Sequence, residues 1–199
     1  MTIATPSASP SGGYPISFDV AYPDHLSRGL IFVKWLLALP HYLIVYALNI
    51  VFEVVSVVAF FAILFTKKYP RGLFDFAVGA RRWQANVGVY VGLLRDEYPP
   101  FSMDTGQYPL AFDVVYPENL GRFAPLYKWL LAIPHIIILA FLMIAVFFTS
   151  IIAWFAILFT GRYPEGLFRF AVGVQRWNQR VTLYALFMTD AYPPFSLNA

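Results

Sequence analysis

The chain contains two copies of one segment, and this repeat constrains its fold more than any other feature. Residues 14–102 align without a gap with residues 108–196, at a constant offset of 94 positions, and 46 of the 89 aligned residues are identical. Copies this similar can bury a shared core against each other, as stacked repeats do. The predicted organisation is a flexible tail over 1–13, repeat 1 over 14–102, a linker over 103–107 and repeat 2 over 108–199.

Each copy contains an apolar stretch of about 38 residues, over 29–66 and 123–160. One membrane crossing needs about 20 residues, so each stretch is either one long helix or a hairpin of two short crossings. All 14 Lys and Arg residues lie outside 35–66 and 129–160. Hairpins would leave every basic residue on one side, as the positive-inside tendency favours. The favoured interpretation is therefore a multi-pass plasma-membrane protein built from hairpins, with cytoplasmic termini.

Shorter elements flank the apolar stretch in each copy. Alternation at Ile16, Phe18 and Val20 predicts a half-buried strand, and we expect the strands of the two copies to pair or to pack on one surface. After the Tyr-Pro turn at 69–70, helical spacing predicts an interfacial amphipathic helix that the D-x-Y-P-P-F motif ends. The predicted fold class is a mainly α membrane protein of two pseudo-symmetric repeats, each a short strand, a membrane-embedded hairpin or long helix, and an amphipathic helix.

The repeated motifs also resemble a known family. KWLLALPH at 34–41 returns as KWLLAIPH, FAILFTKKYPRGLF at 61–74 as FAILFTGRYPEGLF, and YPPFS at 98–102 unchanged. This pattern resembles the bacterial membrane proteins called domain of unknown function 4389. Both copies fit it over nearly their whole length, although Lys67 stands where the family usually has Gly. The resemblance implies a membrane protein with no settled biochemical role.

Four pairs of a basic residue followed by Trp are candidates for contact with lipid. Such pairs are typical of snorkelling side chains with an aromatic anchor, and a lysine could also bind a lipid phosphate. The pairs are Lys34-Trp35, Lys128-Trp129, Arg82-Trp83 and Arg176-Trp177. Asp19 and Asp113 each precede an arginine, Arg28 or Arg122, by nine residues. We expect structural ion pairs there rather than acid–base catalysis.

Two histidines and one glutamate within the apolar stretches are candidates for a functional role. His41 and His135 are counterparts that each follow a proline, which indicates kink histidines at the interface; the alternative is a pair that ligates haem or a metal across the copies. Glu53 is the single carboxylate in these stretches, and its counterpart is Phe147. Intramembrane carboxylates often act in proton relays. A transport role for Glu53 is therefore the alternative to a position without function.

The functional prediction is reached largely by exclusion. The chain has no cysteine, and it has no serine elbow, Gly-rich phosphate loop, HExxH motif or paired inward carboxylates. We therefore expect no catalytic residue, metal site or cofactor. The net charge of +3 without a dense basic run favours lipid headgroups over nucleic acid.

The predicted function is a non-enzymatic membrane scaffold or accessory subunit. Its expected partners are membrane lipids and other membrane protein subunits or a second copy of the chain. The first alternative is a lipid or small-molecule carrier or channel with its site between the repeats, near Glu53 and the two histidines. The second is a haem-binding redox membrane protein.

Overall fold

The computed structural model describes residues 13–198, so the tail predicted over 1–13 lies almost wholly outside the described residues. Within that range the chain is mainly helical and divides into two similar parts, as predicted. The elements are β1 (Ile16–Val20), α1 (Leu30–Leu37), α2 (Leu39–Thr66), α3 (Arg71–Val91), β2 (Leu110–Val114), α4 (Ala124–Thr160) and α5 (Glu165–Ala185).

The two strands pair with each other, which confirms the expectation from the repeat. β1 and β2 run antiparallel, with Phe18 opposite Phe112 and Ile16 opposite Val114. Phe112 is the repeat counterpart of Phe18, so a pseudo-two-fold axis passes between these residues. Their rings meet edge to face, with centroids 6.4 Å apart. The alternating apolar side chains are buried and Asp19 is exposed, as the period of two predicts.

The favoured hairpin interpretation of the apolar stretches is wrong. α4 is one continuous helix of 37 residues, about 55 Å long, with Pro134 in its interior. In repeat 1, Ala38 separates α1 from α2, but its N–H still donates to the Lys34 carbonyl at 2.9 Å and its carbonyl accepts from Tyr42 at 3.0 Å. Each stretch therefore follows the long-helix alternative. The middle of α4 has neither Gly nor Pro, so nothing stops propagation of the helix.

The amphipathic helices exist where they were expected, but they end earlier. α3 ends at Val91, before the Tyr-Pro-Pro-Phe segment, because Leu93 adopts a left-handed conformation with φ of 63°. The N–H of Leu94 then donates to the Val89 carbonyl at 3.1 Å, which is the bonding pattern of a Schellman cap. Repeat 2 uses Phe187 in the same way, with φ of 66°. A large residue in this conformation gives no sequence signal, unlike the usual glycine.

The elements form three layers. The β1–β2 sheet packs on α3 and α5, and these two helices pack in turn against α2 and α4. Each strand lies on the helix of the other copy, β1 on α5 and β2 on α3, so the two repeats are interlocked. The middle position buries α3 on nearly all sides, including Arg82 and Asn86. The predicted contact of Arg82 with lipid headgroups is therefore wrong.

The outer helices run antiparallel to each other. The segment before α1 meets the end of α4, where the N–H of Leu26 donates to the Gly161 carbonyl at 2.8 Å. The segment before α4 meets the end of α2, where the N–H of Leu120 donates to the Lys67 carbonyl at 2.9 Å. The same pseudo-two-fold axis that relates the strands therefore relates the long helices.

The outer layer presents a large apolar surface. α2 and α4 are long and apolar enough to cross a membrane, yet only 28% and 11% of the residues in their most apolar windows are buried. A core helix of a soluble protein would be mostly buried. Exposed side chains along these helices include Leu43, Val54, Phe65, Phe141, Phe147 and Phe159.

Candidate functional site

The two Lys-Trp lysines are buried inside the protein rather than extended towards solvent or lipid. The side chain of Lys34 is 2% exposed, and its Nζ lies 2.8 Å from Asp96 Oδ1 and donates to the Arg95 carbonyl at 2.7 Å. It also lies over the Tyr90 ring. Burial lowers the pKa of Lys34, and the hydrogen bond and charge of Asp96 act in the opposite direction. The ammonium group is therefore already paired within the protein.

Repeat 2 builds the same arrangement around Lys128. Its Nζ lies 2.6 Å from Asp190 Oδ1 and donates to the Thr189 carbonyl at 2.7 Å. Both carboxylates belong to the D-x-Y-P-P-F motif, which the sequence indicated only as a helix end. Neither lysine has a free charge for a lipid phosphate, so the snorkelling and phosphate-binding interpretations of Lys34 and Lys128 both fail.

The tryptophans that follow these lysines do face outwards. Trp35 is 60% exposed and Trp129 is 59% exposed. Each indole N–H donates to a carbonyl of its own helix, that of Phe32 or Leu126, at 2.7 Å. The hydrogen-bonding end of each ring is satisfied, and the apolar faces remain available to lipid.

Arg82 and Arg176 join the two repeats. Arg82 donates through Nε to the Phe112 carbonyl at 3.1 Å and lies 3.5 Å from Asp113 Oδ1. Arg176 donates to the Phe18 carbonyl at 2.7 Å and to Asp19 at 2.8 Å.

The two aspartates therefore form structural ion pairs, but the expected partners were wrong. Asp19 and Asp113 pair with arginines of the other repeat instead of Arg28 and Arg122. The reason is that each strand packs on the other copy's helix, so its neighbours in space are far away in sequence.

Each histidine is held in an aromatic cage of its own repeat. Trp83 Nε1 donates to His41 Nδ1 at 3.0 Å, and the Phe101 ring stacks on the imidazole with centroids 4.2 Å apart. Around His135, Trp177 Nε1 donates to Nδ1 at 3.1 Å, and the Phe195 ring stacks on the imidazole with centroids 3.9 Å apart. The cages attach the Tyr-Pro-Pro-Phe segments to the helices. Trp83 and Trp177 are thus internal structural residues and not interfacial anchors.

The cage fixes the tautomer of each histidine. An indole N–H can only donate, so Nδ1 accepts and the neutral ring carries its proton on Nε2. A metal-ligating histidine normally does the reverse and donates its second N–H to an acceptor. Both Nε2 atoms are buried and make no hydrogen bond within residues 13–198. This arrangement favours the structural interpretation of His41 and His135.

Glu53 lies on the exposed face of α2, close to the middle of the helix. Its apolar neighbours on this face include Ile50, Val54 and Val57, which are all exposed. A hairpin would have placed Glu53 near a turn that water can reach, but no turn exists there because α2 continues to Thr66.

A polar cleft lies between the repeats, but its lining residues include neither Glu53 nor the two histidines, near which the sequence placed its alternative site. The cleft lies on the pseudo-two-fold axis between α3 and α5, has a volume of about 170 Å³, and reaches Phe18 of the sheet. The polar residues lining it are Arg81, Gln84, Gln175, Asn178, Gln179 and Thr182. One available signal was the asymmetry of the repeat, because Arg81 aligns with Gln175.

Comparison with known proteins identifies the family of the chain but no individual relative. No curated protein matches the chain, and no solved structure does. The sequence pattern of the domain of unknown function DUF4389 matches twice, over residues 28–103 and 124–196. The two matches together cover most of the chain and correspond to the two repeats, so the chain belongs to the DUF4389 family as a tandem two-copy member.

Proposed function

We propose that the protein is a non-enzymatic accessory subunit of a membrane protein assembly, embedded in the bilayer through α1, α2 and α4. The observation that carries this proposal is Glu53 on the exposed apolar face of α2. A carboxylate that faces lipid on an embedded helix is costly unless a partner satisfies it. A polar or basic side chain of a partner would remove that cost. Repeat 2 has Phe147 at this position, so only repeat 1 offers the polar contact.

The order of the layers supports a particular placement in the membrane. Arg82, which binds β2, neighbours Trp83, which contacts His41 of α2, and Arg81 lies over Phe52 of α2. The sheet is therefore level with the part of α2 between His41 and Phe52, near the middle of the nearly continuous α1–α2 segment. If α2 crossed the bilayer, the sheet and its exposed aspartates would lie at hydrocarbon depth, where such groups are costly.

An orientation with the pseudo-two-fold axis along the membrane normal avoids this cost. The outer helices would then lie within one leaflet, as interfacial helices do, and the sheet would face water. This placement replaces the multi-pass arrangement favoured by the sequence. We place the water-facing side in the cytoplasm, at the plasma membrane, because the basic residues favour that side.

Partner binding through Glu53 can be tested by purification from native membranes in a mild detergent. We expect the wild-type chain to co-purify with a partner at fixed stoichiometry, either another membrane protein or a second copy of itself, as read by mass spectrometry. The Glu53→Phe variant, which gives repeat 1 the residue of repeat 2, should lose that partner because the polar contact is gone.

The matched control is Glu118→Phe, which makes the same exchange at an exposed position before α4. This variant should retain the partner. The proposal is wrong if Glu53→Phe retains the partner at the wild-type stoichiometry, or if the wild-type chain is a monomer without any partner.

A further inference from the structure

The cleft on the pseudo-two-fold axis contains a cation, Arg81, that has no counter-charge among residues 13–198. Arg81 Nη1 donates to Gln84 Oε1 at 2.8 Å, and its guanidinium lies 4.3 Å from the centre of the Phe52 ring. Its Nε is buried and has no hydrogen-bond partner within residues 13–198. No carboxylate of this range lies within ion-pair distance of it. Lys34, Lys128, Arg82 and Arg176 each have one. Arg180 has none in this range either, but it donates to the Asn198 carbonyl at 2.9 Å and lies over the Tyr14 ring.

Arg81 is half-buried with its Nε fully buried, and partial burial of a guanidinium without a counter-charge is unfavourable. Desolvation lowers the pKa of Arg81 to about 10, and no nearby carboxylate opposes that effect. Buried charges are normally paired, so the cleft has the charge expected of a site for an anion. Across the cleft, the side chain of Gln179 is 7% exposed and its Oε1 has no donor among the described residues. The site therefore also offers an unused acceptor for a hydroxyl group.

The polar cleft continues into an apolar one. A second cavity of about 510 Å³ shares Gln84 and Gly88 with it and lies among α2, α3 and α4. It is within the range of about 300–1,000 Å³ that is usual for ligand sites. The apolar residues lining it include Tyr42, Val45, Val87, Val91 and Leu93. Together the two cavities match a ligand with an anionic head and an apolar chain.

We propose that this cleft binds one anionic phospholipid, with its phosphate at Arg81, a headgroup hydroxyl at Gln179 and an acyl chain in the apolar cavity. A lipid is favoured over a free anion because the apolar cavity lies against the outer helices, on the side that we place in the membrane. The inference therefore rests on the proposed membrane placement. It assigns a ligand to Arg81 and Gln179, away from Glu53 and the histidines.

The test uses the full-length protein in detergent micelles that contain equal amounts of phosphatidylglycerol and phosphatidylcholine. After extensive washing, the lipids that remain bound are quantified by mass spectrometry. We expect about one phosphatidylglycerol per chain and little phosphatidylcholine. Arg81→Gln, which gives repeat 1 the residue of repeat 2, should reduce retained phosphatidylglycerol at least about tenfold, because a charge-assisted hydrogen bond is lost.

The matched control is Arg169→Gln, which removes the same charge from an exposed ion pair with Glu165 on α5 and should leave retention unchanged. Equal retention by Arg81→Gln and the wild type would overturn the assignment. So would equal retention of both lipids by the wild type, a readout that does not depend on the folding of any variant. Displacement of the lipid by millimolar inorganic phosphate would overturn it in favour of a free anion. Extraction of the wild type from membranes by alkaline carbonate would count against the membrane placement instead.

Discussion

At the scale of single residues, the repeated polar positions hold the fold together. The lysines and arginines that looked like lipid contacts are paired with groups of the same protein, and each histidine is held through its Nδ1 atom. Lys34 binds Asp96 and His41 accepts from Trp83. Residue type and repetition marked these positions as important. Their partners could not be predicted, because they lie 62 and 42 positions away and meet only once α3 packs against the long helix.

The ion pair of Lys34 predicts a large effect on stability. Lys34→Met leaves Asp96 without its cation in the interior next to α1. Loss of one partner of a buried ion pair is strongly destabilising. We expect the free energy of unfolding to fall by about 3 kcal/mol, as measured by denaturation in detergent followed by circular dichroism.

Arg71 provides the comparison for this prediction. Its pair with Asp75 spans one helical turn and is well exposed on both sides, so Arg71→Met should cost about 0.5 kcal/mol. Equal losses of stability in the two variants would show that burial of the Lys34 pair contributes nothing.

At the scale of elements, the sequence predicted the types and order of the helices and strands well. It did not predict that each long helix is continuous or that α3 is buried. The period of two identified both strands, and helical spacing identified α3 and α5. The hairpin prediction failed because it relied on all basic residues lying on one side, which a continuous helix lying along the membrane would satisfy equally. A helix in that orientation is not limited by the thickness of the bilayer, and Pro134 can occur inside α4 at the cost of a local hydrogen bond.

The depth of α3 was misjudged for a related reason. Its polar side looked like the surface of an interfacial helix because one sequence window carries no information about other layers. The sheet covers that side, and Arg82 becomes a buried donor to the Phe112 carbonyl. The exposure of α3 therefore depends on a strand of the second repeat, which the sequence of the first repeat cannot reveal.

The exchange of strands predicts how half of the chain should behave. Residues 1–105 contain β1 but not β2, so the strand lacks its partner and its helix. Because the repeats are related by a pseudo-two-fold axis through Phe18 and Phe112, a second copy of the half can supply both. We expect this half to form a homodimer in detergent, with a mass that multi-angle light scattering can measure.

Deletion of β1 provides the control for the half-chain experiment. Residues 23–105 keep the helices but lose the strand, and they should not form a defined dimer. A monomeric, folded half that retains β1 would contradict the idea that the repeats depend on each other through their strands.

At the scale of the whole molecule, the arrangement has two unlike faces. One face carries the sheet with its arginine–aspartate pairs, and the other carries the exposed apolar sides of α2 and α4. The pseudo-two-fold axis runs from one face to the other, because it passes through the strand pair and relates the antiparallel outer helices. In the proposed placement the apolar face meets the membrane, with the axis along the membrane normal.

Labelling of single cysteines tests this orientation, because the chain contains no cysteine that would react in the background. Asp24 and Lys68 are exposed and flank the long helix of repeat 1, and Glu118 and Arg162 are their counterparts. If the outer helices lie within one leaflet, cysteines at all four positions should react with a membrane-impermeant maleimide from the same side. Labelling in intact cells is compared with labelling in inverted vesicles, and full reaction in detergent controls for accessibility. A crossing helix instead requires opposite sides for positions 24 and 68, and that result would exclude the in-plane orientation.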